Sequence, residues 1–173
     1  MTTPEIRELG AGDHPAAIGL LAQLNQNVPI DVLTDRFDRV LREHHHYQAI
    51  GAFIGDKLVA LTGIWIATKV WCGRYLEVDN IVVDPAHRSE GLGSLLITSA
   101  QKIAEEKDCN LMVLDSYTSN YPSHRLYYRL GFEIRGFHFI KHLRVPRGLA
   151  FEIKFKNSPR TGGVSDFYHG YSL

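Results

Sequence analysis

The sequence predicts an α/β (α+β) protein with a mixed, mostly antiparallel central sheet of about seven strands, flanked by about four helices. Two observations support this fold class. Segments with the pattern of strands and of helices follow each other in the order β, two helices, three strands, helix, strand, helix, two strands. The 173-residue chain is also 45% apolar and 22% charged, which is the balance of one folded domain and not of a disordered chain.

The first part of the chain predicts one strand and two helices. Residues 5–9, "EIREL", alternate like a short strand, and Asp13 then offers an N-cap, with Pro15 in the first helical turn. A second helix begins near Pro29. The expected apolar faces are Ile18, Leu21 and Leu24 in the first helix and Ile30, Leu33, Phe37, Val40 and Leu41 in the second.

The middle of the chain predicts three consecutive strands. Residues 47–55 and 57–70 form two antiparallel strands joined at Gly55 and Asp56, a pair that is typical of tight turns. A third strand over residues 74–83 follows the next turn. Its second half is β-branched, as expected of a strand within a sheet.

The last predicted elements are two helices and three strands. A helix begins at Gly91 and has an apolar face of Leu92, Leu95, Leu96, Ala100, Ile103 and Ala104. Residues 111–114, "LMVL", form a continuous apolar run, as expected of a strand covered on both faces. A helix over residues 121–130 ends at Gly131, and residues 132–135 and 137–143 predict two final strands.

Composition excludes several classes of protein. Lysine plus arginine equals aspartate plus glutamate at 19 each, so no basic excess indicates a nucleic-acid partner. No apolar stretch reaches the roughly 20 residues of a membrane span, and residues 1–10 lack a signal-peptide core. Cys72 and Cys109 have neither metal-type spacing nor a disulfide framework. We therefore expect a cytoplasmic protein with no membrane partner.

One turn has the pattern of an anion site. In the stretch "DNIVVDPAHRSEGLGSLLITSAQ", a strand passes through Arg88-x-x-Gly91-x-Gly93 directly into an amphipathic helix. Such a turn presents backbone N–H groups at the positive end of a helix dipole, and glycine lets a ligand approach the backbone. The sequence has no P-loop lysine and no complete G-x-G-x-x-G.

Two motifs in this chain resemble those of one enzyme family. "VVDPAHRSEGLGSLL" resembles motif A of the GNAT superfamily of acetyl-CoA-dependent N-acetyltransferases, which is R/Q-x-x-G-x-G/A after a strand. "SNYPSHRLYYRLGF" resembles the later motif N-x-x-A-x-x-F-Y-x-x-x-G-F, with Ser123 in place of the usual alanine. The resemblance implies the GNAT fold for residues 1–143, with residues 144–173 as a C-terminal extension. That extension contains "AFEIKF", a possible edge strand that could pair with a second subunit in a homodimer.

The resemblance also implies where acetyl-CoA would bind. Strand backbone would hold the pantetheine arm, the glycine turn would hold the pyrophosphate, and the second motif would contact the cofactor near its sulfur. The implied cofactor-binding residues are Ile81, Val82, Val83, Arg88, Ser89, Glu90, Gly91, Leu92, Gly93, Ser94, Asn120 and Tyr127. The expected activity is direct transfer of acetyl from acetyl-CoA to a primary amine of a small molecule.

The chemistry requires a group that deprotonates the amine and an acid for the leaving thiolate. We expect Tyr127 to be the acid, from its place in the second motif. Glu77 and Asp79 are both candidate bases, since alternation places them on one side of a strand together with Ile81 and Val83. Glu77 is slightly favoured. A β-bulge on this strand would change the facing, and the enzyme could also have no dedicated base.

The acceptor amine is not specified by these motifs. "SHRLYYRLGFE" and "FHFIKHL" are similar to a small-molecule branch that includes aminoalkylphosphonate acetyltransferases. An anionic acceptor would need cations, and Lys69, Arg74 and the histidines at 44–46 are candidates. A protein lysine or N-terminal acetyltransferase and a non-catalytic acyl-CoA-binding module stay open as alternatives.

Two aromatic groups have simpler interpretations. His44, His45 and His46 are consecutive and point in different directions, so we expect a solvated helix end and no metal site. Trp65, Trp71 and Tyr75 could line an acceptor pocket, but packing on the strand face is the favoured role.

Overall fold

The computed structural model describes residues 3–141 and 143, which form one five-stranded sheet and four α-helices. The strands are β1 Glu5–Glu8, β2 Tyr47–Ile54, β3 Lys57–Lys69, β4 Gly73–Val83 and β5 Leu111–Leu114. The helices are α1 His14–Leu24, α2 Ile30–Glu43, α3 Leu92–Glu106 and α4 Tyr121–Arg129. Their order and positions confirm the predicted α+β fold class and each predicted element up to α4.

The strands lie in the sheet in sequence order, β1 to β5. β1 to β4 pair antiparallel, and the β2–β3 hairpin turns at Gly55, whose φ of 58° suits glycine. β5 pairs parallel with β4, because the chain returns to the sheet through α3. The sheet is therefore mixed and mostly antiparallel, as predicted.

Each face of the sheet is covered by helices. α1 and α2 pack on one face around a buried cluster that includes Leu21, Phe37, Tyr47 and Leu61. α3 packs on the other face, where Leu96 and its neighbours meet the alternate residues of β2, β3 and β4. None of the described helices combines the length and apolarity that a membrane span requires.

Two predicted strands are absent from the described residues. Residues 132–135 and 137–141 have no regular secondary structure, and Phe137, Phe139 and Ile140 expose at least 72% of their surface. A segment whose apolar and polar residues alternate forms a strand when a neighbouring strand pairs with its backbone N–H and C=O groups. No described strand pairs with this segment. The described sheet therefore has five strands and not about seven. The predicted edge strand "AFEIKF" lies outside the described residues.

β4 contains a bulge that changes which way its side chains face. Leu61 pairs with Val82 and Gly63 pairs with Asp79, so two residues of β4 oppose Thr62 alone. Asn80, within the bulge, has the left-handed φ of 49°, and the Thr62 hydroxyl donates to the Asp79 carbonyl at 2.9 Å. Beyond the bulge, the alternation along β4 is reversed.

This reversal corrects one sequence-based expectation. Glu77 and Asp79 do share the face that carries α1 and α2, because they pair with Trp65 and Gly63. Ile81 and Val83 pack instead with the cluster on the α3 face. The simple alternation of side chains between the two faces of the sheet therefore holds only up to Asp79, because the bulge adds one residue to β4.

Candidate active site

The candidate site begins where β4 and β5 separate. Their pairing runs from Tyr75 with Leu111 to Val78 with Leu114 and then stops, whereas β4 continues to Val83. From Asp79 onward, no described strand pairs with the β5 side of β4. The split leaves a strip of β4 backbone that an extended ligand could pair with.

A buried hydroxyl lies close to this split in sequence. Ser116 follows the end of β5 by two residues, and its Oγ is buried without a hydrogen-bond partner among the described residues. Buried polar atoms are almost always hydrogen-bonded, so this one fits a site that receives a polar ligand.

The glycine turn has the geometry of an anion cradle. Gly91 is the N-cap of α3 with φ 83°, and no described side chain caps the helix. An added Cβ at Gly91 would meet nothing within 4 Å, and one at Gly93 would first meet Leu126 at 3.4 Å. The start of α3 therefore has open space beside Gly91 at the positive end of the helix dipole, where a ligand could approach the backbone.

The three residues directly before Gly91 are solvent-exposed, and local contacts hold the turn. Ser89 has a left-handed φ of 65°, and Arg88 donates from Nε to the Val83 carbonyl at 3.4 Å. His87 contacts the Glu90 carboxylate at 3.2 Å. No packed side chain occludes this turn in the described structure, so an anion has access to it.

α4 carries the second motif. Asn120 is its N-cap, is exposed, and accepts through its backbone carbonyl from the His124 N–H at 3.1 Å. Tyr127 is 8% exposed and packs edge-on against Phe132 with ring centroids 6.1 Å apart. Burial raises the pKa of Tyr127, and a hydrogen bond from Ser123, one turn earlier, opposes the rise. Tyr127 therefore keeps its proton at neutral pH.

A cavity of about 230 Å³ lies between α1, α2 and β4. The described residues that line it are Leu21, Asn25, Leu33, Arg36, Phe37, Val40, Asp79 and Asn80. The apolar side chains come from the helices, whereas β4 supplies Asp79 and Asn80 at its bulge. The cavity thus opens against the part of β4 where the split from β5 begins.

Asp79 has aromatic neighbours on its own face of the sheet. Trp65 donates from Nε1 to Asp79 Oδ2 at 3.3 Å, and its ring packs edge-on against Tyr47 at 4.7 Å. A Cβ at Gly63 would lie 2.2 Å from the Tyr47 hydroxyl, so glycine there makes room for the Tyr47 ring. Burial and the negative charge of Asp79 both raise the pKa of Tyr47 well above its usual value. The carboxylate is oriented by the Trp65 side chain, for which packing on the strand face was the favoured role and lining of an acceptor pocket the alternative.

Of the two predicted bases, the structure brings only Asp79 to the cavity. Glu77 lies on the same face but pairs with Trp65 one step along the sheet and does not line the cavity. This difference follows from strand geometry, because residues two apart on a strand are separated by about 7 Å.

The other residues considered in the sequence lie away from the cavity. Lys69 places its Nζ 4.5 Å from the centre of the Tyr75 ring, Arg74 is exposed, and Trp71 is 68% exposed. His44 packs edge-on against Trp65 at 5.2 Å, and the rings of His44 and His45 each lie against the ring of His46. Within the described part of the chain, no three His, Cys, Asp or Glu side chains are grouped as metal ligands.

Sequence-based prediction missed Arg36. It lies on the cavity face of α2 with Leu33, Phe37 and Val40, at spacings of three and four residues. A cation that interrupts the apolar face of an amphipathic helix was a readable signal. The sequence could not show, however, that this face borders a cavity.

Comparison with known proteins gives one family. The model of the acetyltransferase (GNAT) family matches residues 17–132, which is more than half of the chain. A glucosamine 6-phosphate N-acetyltransferase of Trypanosoma brucei brucei is 38% identical over 56 residues, which are 32% of this chain and 36% of that protein. The chain thus matches only about a third of the length of this curated relative.

Solved structures show the same fold. Aminoglycoside N-acetyltransferase AAC(6')-Iy in complex with CoA is 22% identical, with a TM-score of 0.73, over 83% of this chain and 97% of that one. Glucosamine-6-phosphate N-acetyltransferase from Arabidopsis thaliana is 21% identical, with a TM-score of 0.65, over 82% of this chain and 99% of that one.

Proposed function

Because the chain belongs to the GNAT family of acetyl-CoA-dependent acetyltransferases, we propose that it transfers an acetyl group from acetyl-CoA to a primary amine of a small molecule. The observation that carries this proposal is that two features meet at the β4 bulge. Asp79 and Asn80 line the cavity, and the same residues begin the stretch of β4 that has no β5 partner among the described residues. An acceptor in the cavity and a cofactor along the strand would therefore be adjacent.

The cofactor surfaces fit acetyl-CoA. The backbone of Ile81, Val82 and Val83 would pair with the pantetheine arm, as one strand pairs with another. The turn from Arg88 to Ser94 would hold the pyrophosphate through the free N–H groups of α3, with Gly91 leaving room for it. Asn120 and the Ser116 hydroxyl, which has no hydrogen-bond partner among the described residues, are further polar groups for the cofactor.

Asp79 is the base that the geometry favours. A free alkyl amine has a pKa near 10, so most acceptor molecules are protonated at neutral pH and must lose a proton before attack. The Asp79 carboxylate lies in the cavity wall, and the Trp65 N–H fixes its orientation. It can take the proton directly or through a water molecule.

Tyr127 is the acid in this proposal. Acetyl-CoA supplies the acetyl group as a thioester, whose sulfur leaves as a thiolate. A buried phenol with a raised pKa remains protonated and can donate to that sulfur. A backbone N–H of β4 beyond the bulge can donate to the carbonyl oxygen, where negative charge develops.

The size of the cavity favours a small acceptor. A volume of about 230 Å³ is below the range of roughly 300–1,000 Å³ that is typical of drug-sized ligands. This favours a compact amine over a peptide segment. An aminoalkylphosphonate acceptor stays a prediction, which the assay below also tests.

A CoA-release assay with acetyl-CoA tests the proposal. The panel should contain amino acids, aminosugars, polyamines, aminophosphonates and peptides. We expect at least one small amine to be acetylated, and Asp79→Asn to lower kcat about a hundredfold or more. Glu77→Gln, a change of the same kind two residues away, should have a much smaller effect.

Two results would contradict the proposal. Acetylation of peptides alone would indicate a protein acetyltransferase. CoA binding without turnover of any amine would indicate a non-catalytic acyl-CoA-binding module. A large loss in Glu77→Gln with none in Asp79→Asn would reverse the assignment of the base.

A further inference from the structure

Tyr47 carries a buried hydroxyl to which the proposed mechanism gives no role. The residue begins β2, is 7% exposed, and faces α1 and α2 together with Trp65, its partner on β3. Its hydroxyl forms no hydrogen bond with any described residue. In the described structure, Ser116 Oγ is the only fully enclosed polar side-chain atom without a partner, so the Tyr47 hydroxyl borders space that a water molecule can reach. A buried phenol normally has a polar partner.

Glycine at position 63 brings this hydroxyl next to Asp79. The hydroxyl occupies the space where a side chain on Gly63 would begin. Gly63 and Asp79 are direct partners across β3 and β4, on the face that also carries Tyr47. Because the Cβ positions of directly paired residues are about 5 Å apart, the hydroxyl lies about one water molecule away from the Asp79 side chain. After burial, the negative charge of Asp79 is the second cause of the raised pKa of Tyr47, as expected at this separation.

The Asp79 carboxylate has one oxygen that can receive this contact. Trp65 donates from Nε1 to Oδ2 at 3.3 Å, whereas Oδ1 has no hydrogen-bond partner among the described residues. The raised pKa keeps the Tyr47 phenol protonated at neutral pH, so it is a hydrogen-bond donor. A donor that lacks a partner and a carboxylate oxygen that lacks a partner therefore lie on either side of Gly63.

We propose that Tyr47 is a positioning residue for the base, and that its hydroxyl donates to a water molecule which donates in turn to Asp79 Oδ1. The inference rests on the proposed function, in which Asp79 takes a proton from the acceptor ammonium. Trp65 and the water on Tyr47 then hold the two carboxylate oxygens, so the base keeps one orientation toward the cavity. Tyr47 retains its own proton throughout, and the proton of the amine ends on Asp79.

A kinetic double-mutant cycle tests whether Tyr47 acts through Asp79. Tyr47→Phe removes the hydroxyl and keeps the ring, so we expect kcat to fall about tenfold while the KM for acetyl-CoA is unchanged. In the Asp79→Asn background the same change should lower kcat by less than about twofold, because no base is left to position. A purely structural role of the hydroxyl would lower kcat by the same factor in both backgrounds.

Tyr75→Phe is the matched control. Tyr75 is also 7% exposed, but it precedes Asp79 by four residues on β4, about 13 Å along the strand, and does not line the cavity. Removal of its hydroxyl should leave kcat unchanged in both backgrounds.

Urea unfolding measures the same contact without any substrate. Tyr47→Phe should lower the urea midpoint of the wild type more than it lowers that of Asp79→Ala, since the water has lost its carboxylate in the latter. Tyr75→Phe should shift both midpoints by the same amount.

The outcomes separate this inference from the proposed function. Wild-type kcat in Tyr47→Phe, or equal effects of Tyr47→Phe in the two backgrounds in either measurement, would overturn the inference and leave the proposed function standing. Coupling of Tyr47 with Asp79 in urea unfolding, without turnover of any amine, would support the contact and reject the proposed function.

Discussion

Tyr127 and Tyr128 are adjacent in the chain and lie in opposite environments. Tyr127 is 8% exposed and packs on Phe132, whereas Tyr128 is 56% exposed. The helical rotation of about 100° per residue turns one ring inward and the other toward solvent. Burial raises the pKa of Tyr127, so this phenol keeps its proton at moderately alkaline pH.

Tyr127→Phe should therefore lower kcat about a hundredfold or more, because the leaving thiolate loses its proton donor. The KM for acetyl-CoA should change little, since the phenylalanine ring keeps the packing. Steady-state kinetics over a range of pH checks this.

Tyr128→Phe is the neighbouring control and should retain wild-type kcat. Unchanged kcat in Tyr127→Phe would show that the thiolate leaves without help from this residue.

The motif placed Tyr127 correctly on a helix, yet motif and periodicity together could not separate Asp79 from Glu77. Both carboxylates belong to one strand and face one way. What separates them is the cavity, which depends on how α1 and α2 pack over β4. Arg36 was missed for the same reason.

At the scale of elements, the turn into α3 depends on one glycine. Gly91 has φ 83° and open space around its missing side chain. The protein alone therefore requires glycine there for its backbone conformation and not for lack of room. A ligand bound at this turn would add a second reason for glycine at position 91, because it would occupy the space beside the residue.

Gly91→Ala should weaken CoA binding about tenfold, because a Cβ would enter the space proposed for the pyrophosphate. It should also cost about 1 kcal/mol of stability from the left-handed conformation. Gly55→Ala gives the same conformational cost, since Gly55 has φ 58° and also lacks neighbours within 4 Å.

Calorimetric titration of CoA and thermal denaturation of both variants check this prediction. Equal CoA affinity in the two variants would count against a pyrophosphate at this turn.

The element that sequence periodicity misjudged is β4. Its alternation predicts one facing for Glu77, Asp79, Ile81 and Val83, but the bulge moves the last two to the other face. A bulge is a property of pairing, because two residues of one strand must oppose one of the next. A bulge on this strand was an alternative that the sequence left open, and Asn80, with its φ of 49°, is of a residue type that tolerates a positive φ better than most.

At the scale of the whole molecule, an ion pair joins the edge strand to the first helix. Arg7 on β1 donates from both terminal nitrogens to Asp13 at 2.7 and 2.9 Å, and the Gly10 N–H donates to the same carboxylate at 2.8 Å. Asp13 precedes α1, as predicted, but its side chain holds these donors and does not cap the helix. The Arg7 hydrogen bond and then the Gly10 hydrogen bond lower the pKa of Asp13 to about 2.

The sign of the pH effect follows from this lowered pKa. The contribution of Asp13 to stability is present above its unfolded pKa of about 3.9 and is lost as pH falls toward about 2. Asp13→Asn should therefore lower the urea midpoint at neutral pH, and the difference from wild type should shrink between pH 4 and pH 2.

Asp108→Asn is the control, because Asp108 is exposed and its left-handed φ of 53° is also favourable for asparagine. Urea unfolding of the two variants at several pH values checks the prediction. A difference between Asp13→Asn and wild type that stays constant down to pH 2 would contradict it.

The sequence by itself determined the fold class, the nine elements up to α4, the glycine turn into α3 and the residues of the two family motifs. These depend on local periodicity, on turn chemistry and on short spacings, which the linear chain contains. Only the tertiary structure decided that Asp79 and not Glu77 meets the cavity, that Arg36 faces it, and that Ile81 and Val83 turn to α3. These depend on strand register and on helix packing across the sheet, which join residues that are far apart in sequence.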